Sequence, residues 1–269
     1  MSVLQDQLGE LHHAGEARGT SAVHRIDPRA KLLVVFAFTL AVVSFDRYQI
    51  AALLPFAVFP VVAAVLADVP LRPLLRRLAL AAPFAVMVGA FNPWLDTAPL
   101  VRLGAWELSG GWVSFVSILL RFVLSVSAML LLVATTGVVG IAVAMAALGA
   151  PRAFSAQLLF LHRYGVVLVE EAKDMATAAQ LRSGGRPSLR LRVWVNLMGV
   201  LLLRTFERAQ RIHLAMLARG YSGSLPVAGR LHWRASDTRF LIGSLLAIVT
   251  LRVFDLPQAM GQILLQVSA

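Results

Sequence analysis

The chain has 269 residues, 58% of them hydrophobic and only 14% charged, with a net charge of +11 and a mean hydropathy of +0.76. A soluble domain carries about 25% charged residues, so a chain this apolar lacks the polar surface to cover a soluble fold of its length. It has no cysteine, which excludes disulfides and thiolate metal sites; in so apolar a chain the basic excess points to cytoplasmic Lys and Arg beside a membrane rather than to nucleic acid.

Residues 1–29 read as a cytoplasmic N-terminal segment. They are polar and mixed in charge, with Glu10, His12, His13, Glu16 and Arg18 close together. The basic, apolar and cleavage regions of a signal peptide are missing from their usual order, so the segment is expected to be retained. Residues 30–135 hold four expected membrane spans: Ala30–Phe45, Gln49–Ala67 with Pro55 and Pro60, Leu78–Trp94, and Trp112–Thr135. Their lengths lie near the ~20 residues that a hydrocarbon core requires. Arg25, Arg29 and Lys31 precede the first span, and Arg72, Arg76 and Arg77 precede the third. The link before the fourth holds Asp96, Arg102 and Glu107 and is slightly acidic. The positive-inside rule then places the N-terminus in the cytoplasm and returns the chain there near Thr136.

Residues 136–236 hold 13 Lys/Arg against 4 Asp/Glu. The apolar stretch Ala153–Val169 is interrupted by His162 and Arg163, and a central Arg opposes insertion by at least ~2.5 kcal/mol. A crossing there would also put Arg182–Arg211 outside. The region is therefore expected to be a cytoplasmic platform of helices over Val138–Leu148, Phe154–Arg182 and Leu189–Arg219. Arg204, Arg208 and Arg211 share one face of the last; Leu203, Phe206, Leu214 and Leu217 fall near another. Residues 237–269 hold a fifth span, Thr238–Phe254. The fold class is all-α, a polytopic membrane protein of about five transmembrane helices with long platform helices.

Two platform helices end alike, in Leu181-Arg182-Ser183-Gly184 and Ala218-Arg219-Gly220. Glycine past a helix end permits the left-handed conformation that stops it, and an arginine in the last turn suits the helix dipole. Its planar fork can bind a carboxylate bidentately.

These residues carry a resemblance. His24-Arg25-Ile26-Asp27-Pro28-Arg29-Ala30-Lys31 resembles the "H-x-x-D-P-R-x-K" entry to the first span of the T component of energy-coupling factor (ECF) transporters, most closely the CbiQ-type cobalt branch. Ala218-Arg219-Gly220 matches that family's Ala-Arg-Gly motif in full. Leu181-Arg182-Ser183 stands where the other copy belongs and keeps only its Arg. The resemblance runs from about residue 20 to 256. It implies a non-catalytic coupling subunit, multi-pass in the bacterial inner membrane, with no cofactor and no metal site of its own. Its implied partners are two ATP-binding-cassette ATPase subunits, a substrate-capturing membrane subunit (CbiM-type, with or without a small CbiN-type subunit) and membrane lipid, with no nucleic acid. By carry-over, Arg182 and Arg219 dock the ATPases with Leu181, Ser183, Ala218 and Gly220 around them, while Asp27, Pro28, Arg29 and Lys31 form the entry motif. Cobalt, and with it cobalamin biosynthesis, follows from the branch alone; nickel, biotin and other vitamins stay open.

Other classes find less in the residues. The chain has no P-loop, HExxH or GxSxG motif, and Asp46, Asp68, Asp96 and Asp255 stand singly, which weighs against an intramembrane enzyme. An insertase or scaffold with a basic cytoplasmic face would share the topology and charge. Nucleic-acid binding would need more exposed aromatics than Tyr164, Trp194, Phe206, Tyr221 and Trp233.

Overall fold

A computed structural model describes residues 21, 23–95, 99–103, 106–184, 191–221 and 231–253. In chain order the elements are α1 (Pro28–Val43), α2 (Ile50–Leu53), a 3-10 turn (Leu54–Ala57), α3 (Val58–Leu66), α4 (Leu71–Gly89), α5 (Asn92–Leu95), β1 (Pro99–Leu103), β2 (Trp106–Ser109), α6 (Gly110–Ala147), α7 (Arg152–Arg182), α8 (Leu191–Ala218) and α9 (Ala235–Val253). Contacts divide the described residues into one unit holding those up to Gly137 and from Leu231, and a second running from Val138 to Tyr221.

The fold is that of an all-α membrane protein, apart from one short hairpin. Leu71–Trp94 and Gly110–Ala147 are long and apolar enough to cross a membrane, and Ile50–Leu66 is a shorter apolar run. The expected single span over 49–67 is helical throughout but tightens to 3-10 geometry at Pro55, whose ring lacks an N–H and crowds the preceding turn. The helix expected from Leu78 begins at Leu71 instead. Pro73 falls in its first turn, where a missing N–H costs no intrahelical bond, so Arg72, Arg76 and Arg77 join the helix rather than the link. The link between the third and fourth spans forms the antiparallel hairpin β1–β2, with Arg102 opposite Glu107 and Leu103 opposite Trp106.

The core of the first unit is built around α1. Ala30, Lys31, Val34, Phe38 and Val42 form its buried stripe at helical spacing. Phe38 stacks on Phe59 at 4.6 Å between ring centroids and meets Phe56 at 5.9 Å. Leu53, Leu124, Ala128 and Ile248 complete the cluster. α4 joins through small residues: a Cβ on the buried Gly89 would lie 2.7 Å from Phe115 Cδ2, so only glycine permits that approach.

Polar contacts tie α1 to α9 at both ends. At the first, the buried Asp237 carboxylate accepts from the Asp27 N–H at 3.0 Å and from the Arg234 N–H at 2.7 Å. The second bond is the return half of a capping box, an acid reaching back to the N-cap amide. Asp27 in turn caps α1, its carboxylate accepting from the Arg29 N–H at 2.9 Å, with Pro28 at the first helical position. At the other end Arg252 donates to Ser44 Oγ at 3.2 Å and to the Ser44 carbonyl at 3.3 Å, its guanidinium lying 4.2 Å from the centre of the Phe45 ring. Arg121 donates to the Asp46 carbonyl at 2.7 Å. Start lies beside start and end beside end, so α1 and α9 run in the same direction.

α6 is interrupted at Gly137, where φ is 70° and ψ 161°. That region of backbone space is essentially reserved for glycine. Such a break deprives carbonyls of the preceding turn of aligned intrahelical donors. One of them, the Thr135 carbonyl, accepts instead from Lys31 Nζ at 3.0 Å, and a cation suits that end of a helix.

Asp237→Ala leaves one buried and one half-buried amide without their acceptor and is expected to destabilise the protein by about 2–3 kcal/mol. Asp237→Asn keeps one carbonyl acceptor and should lose less. Gly137→Ala forces a Cβ into glycine-only geometry and should cost about 1–3 kcal/mol. Unfolding of the three variants in mixed micelles, followed by far-UV circular dichroism, checks the order and the sizes.

Candidate functional site

The second unit is built from the last turns of α6 and the long pair α7 and α8. Gly149, at a φ of 98°, and Pro151 separate α6 from α7. α7 and α8 both end on glycine in the left-handed region. Gly184 has a φ of 74° and Gly220 a φ of 80°. After α8, the Tyr221 N–H donates to the Met216 carbonyl and the Gly220 N–H to the Leu217 carbonyl, each at 3.0 Å. These are the two bonds of a Schellman ending. After α7, the Gly184 N–H donates to the Leu181 carbonyl at 3.2 Å and Ser183 Oγ to the Gln180 carbonyl at 2.8 Å.

The two arginines therefore hold related but unequal positions. Arg182 is the last helical residue of α7, with Ser183 as its cap and Gly184 beyond. Arg219 is itself the cap residue of α8, directly before Gly220. Both are exposed and neither is in an ion pair among the described residues. Their neighbours Leu181, Ser183, Ala218 and Gly220 are exposed too, Leu181 at 73%. A large exposed apolar side chain beside a free guanidinium, at the negative end of a helix dipole, forms an end suited to an apolar-walled acidic groove.

One acid fastens the helix pair. Glu171 of α7 meets Arg208 at 2.9 Å and Arg204 at 3.4 Å on α8. The face of three arginines expected from spacing is thus divided: Arg211 turns instead to Glu207, 3.9 Å away on its own helix. Glu171 lies three turns before Arg182, and Arg208 three turns before Arg219, about 16 Å in each case. On the rest of α8 no described residue is buried, and Leu203, Phe206, Leu214 and Leu217 are exposed on one face.

The entry residues form a separate group. Asp27, Pro28, Arg29 and Lys31 gather at the start of α1 in the first unit, where they cap, tie and terminate helices. Nearby, His24 Nδ1 lies 2.7 Å from Ser21 Oγ; burial and then the charge of Lys31 hold its pKa below the usual histidine value. Asp237, the acceptor that completes this group, was not singled out in the sequence. Its signal is an acid at the third position of a helix, two hundred residues from its partner. Among the described residues, no three His, Asp or Glu side chains gather in metal-binding geometry.

Comparison with known proteins gives consistent relatives. The family CbiQ, described as cobalt transport protein, matches residues 19–233. The energy-coupling factor transporter transmembrane protein EcfT of Bacillus subtilis is 29% identical over 256 residues, covering 88% of this chain and 94% of that one. EcfT of Listeria innocua is 27% identical over 248 residues, covering 83% and 90%. The uncharacterized protein MJ1571 of Methanocaldococcus jannaschii is 24% identical over 249 residues, covering 88% and 84%.

The two acids in the ion pairs of α8 differ in burial. The Glu171 side chain is 18% exposed, against 69% for Glu207. A double-mutant cycle of Glu171→Gln with Arg208→Gln should give about 1 kcal/mol of coupling, and one of Glu207→Gln with Arg211→Gln no more than about 0.3 kcal/mol. Chemical unfolding of the purified chain measures both.

Proposed function

This chain belongs to the CbiQ family of cobalt transport proteins, and on that premise we propose that it couples ATP hydrolysis by partner subunits to substrate import across the bacterial inner membrane. The coarse role is that of a transmembrane component of an energy-coupling factor transporter, a component and not the catalytic subunit. In our reading two ATP-binding-cassette ATPases seat on the helix ends at Arg182 and Arg219. A CbiM-type membrane subunit captures the substrate, cobalt being the cargo that the family description suggests.

The observation that carries this reading is the pair of exposed, unpaired arginines on glycine-stopped helix ends. ATPase motion at those ends would pass along α7 and α8, which Glu171 keeps in register. The uncovered apolar face of α8 (Leu203, Phe206, Leu214 and Leu217) offers the captor subunit a surface. The parallel direction of α1 and α9 supports a cytoplasmic platform. Parallel spans require an odd number of crossings between them, which the run Ile50–Leu66, α4 and the first part of α6 supplies. The end of the first part of α6 and the start of α9 then lie on one side, the side where Arg29 and Arg234 flank the helix starts and where the positive-inside rule puts the cytoplasm.

Loss of one partner from a desolvated charged pair commonly costs about 2–5 kcal/mol, so Arg219→Glu should weaken ATPase association by thirtyfold or more. Affinity purification through a tag on this chain should then recover the membrane subunits without ATPase, and Arg182→Glu with Arg219→Glu should abolish uptake. Wild-type ATPase recovery and uptake in the double variant would sink the docking assignment. Uptake of cobalt against nickel in cells producing the assembled transporter tests the cargo separately.

A further inference from the structure

Arg72 and Arg76 stand where a helix by itself does not favour cations. They lie in the opening turns of α4, at the positive end of its dipole. No acid occupies the first turn, and the cap residue, Pro70, supplies no side-chain acceptor. Both arginines are exposed, and neither makes a hydrogen bond or ion pair among the described residues. Four-residue spacing puts them on one face. That face continues through Leu80, Pro83 and Met87, again at steps of four, three and four, with Leu80 69% and Met87 59% exposed. The opposite face carries the buried Ala85 and Gly89.

The geometry fits one kind of neighbour. α4 has 19 residues, about 28 Å of helix, close to a hydrocarbon core of ~30 Å. A helix of that length puts its first turn at headgroup level, to which the long Arg76 stem also reaches, while Leu80 to Met87 lie at acyl depth. We propose that the outward face of α4 binds an anionic phospholipid, its phosphate held between the Arg72 and Arg76 guanidiniums and its chains lying along Leu80, Pro83 and Met87. The charge is complementary: a guanidinium fork matches a phosphate bidentately, and the phosphate supplies the anion that the helix does not. A zwitterionic lipid offers the same chains but brings its own cation to the arginines. The proposal rests on α4 crossing the membrane and is independent of the ATPase-docking reading.

The full-length chain, purified in mild detergent, is titrated with phosphatidylglycerol or with phosphatidylcholine, and bound lipid is counted by native mass spectrometry. Tight, salt-sensitive retention of phosphatidylglycerol over phosphatidylcholine is expected. Each arginine near an anionic surface contributes roughly fivefold, so Arg72→Gln with Arg76→Gln should weaken phosphatidylglycerol binding about thirtyfold. Arg72→Lys with Arg76→Lys should keep most of the preference. Equal retention of the two lipids by the wild type would overturn the proposal, as would unchanged phosphatidylglycerol binding in the glutamine variant. So would release of a partner membrane subunit by that variant with its lipid count intact, since the arginines would then face an acidic protein segment.

Discussion

The fold of the first unit hangs on one buried carboxylate. Asp237 is 1% exposed, and a carboxylate taken out of water is strongly unfavourable unless its oxygens are bonded. Both are: one by the amide that opens α1, the other by the amide that opens α9. The Lys31 ammonium lies within electrostatic range. At that burial little water competes for the carboxylate oxygens, and low local polarity strengthens their bonds. The arrangement brings two helix starts together from opposite ends of the chain. That juxtaposition dictates the direction of the last helix.

From this point the polar contacts form a chain of consequences. Lys31 leaves α1 one turn after Asp27 and ends on the Thr135 carbonyl. That carbonyl lies two residues before the Gly137 break, and the break is the last residue of the first unit. The second unit begins immediately after it and is built on another principle. It has almost no buried interior on α8, a single acid shared between two arginines, and helix ends open to solvent. A unit with so little core of its own leaves most of the apolar surface of α8 open.

Much of this was legible in the residues, and the exceptions have physical causes. The stops at Gly184 and Gly220 are readable because a positive φ favours glycine. The entry motif was visible, but its meaning was not: Asp27 and Lys31 act through Asp237 and Thr135, and no local pattern links residues that far apart. β1 and β2 fall in the link between the third and fourth spans, where the charges bear on topology and the short strand-forming runs give no comparable signal. The start of α4 was set too late because arginines were assigned to water, although a guanidinium on a long stem can stay at the interface from within a helix. The basic face of α8 was seen as one group, and only the structure divides it between Glu171 and Glu207.

The single residue by which Gly184 trails Gly220 has a geometric consequence. A helix turns about 100° and rises about 1.5 Å per residue. Counted from their stopping glycines, Arg182 and Arg219 therefore leave their helices at different azimuths and slightly different heights. The two helix ends thus present their arginines differently. The two ends are distinguishable in their last turn, although both stop on a glycine of positive φ.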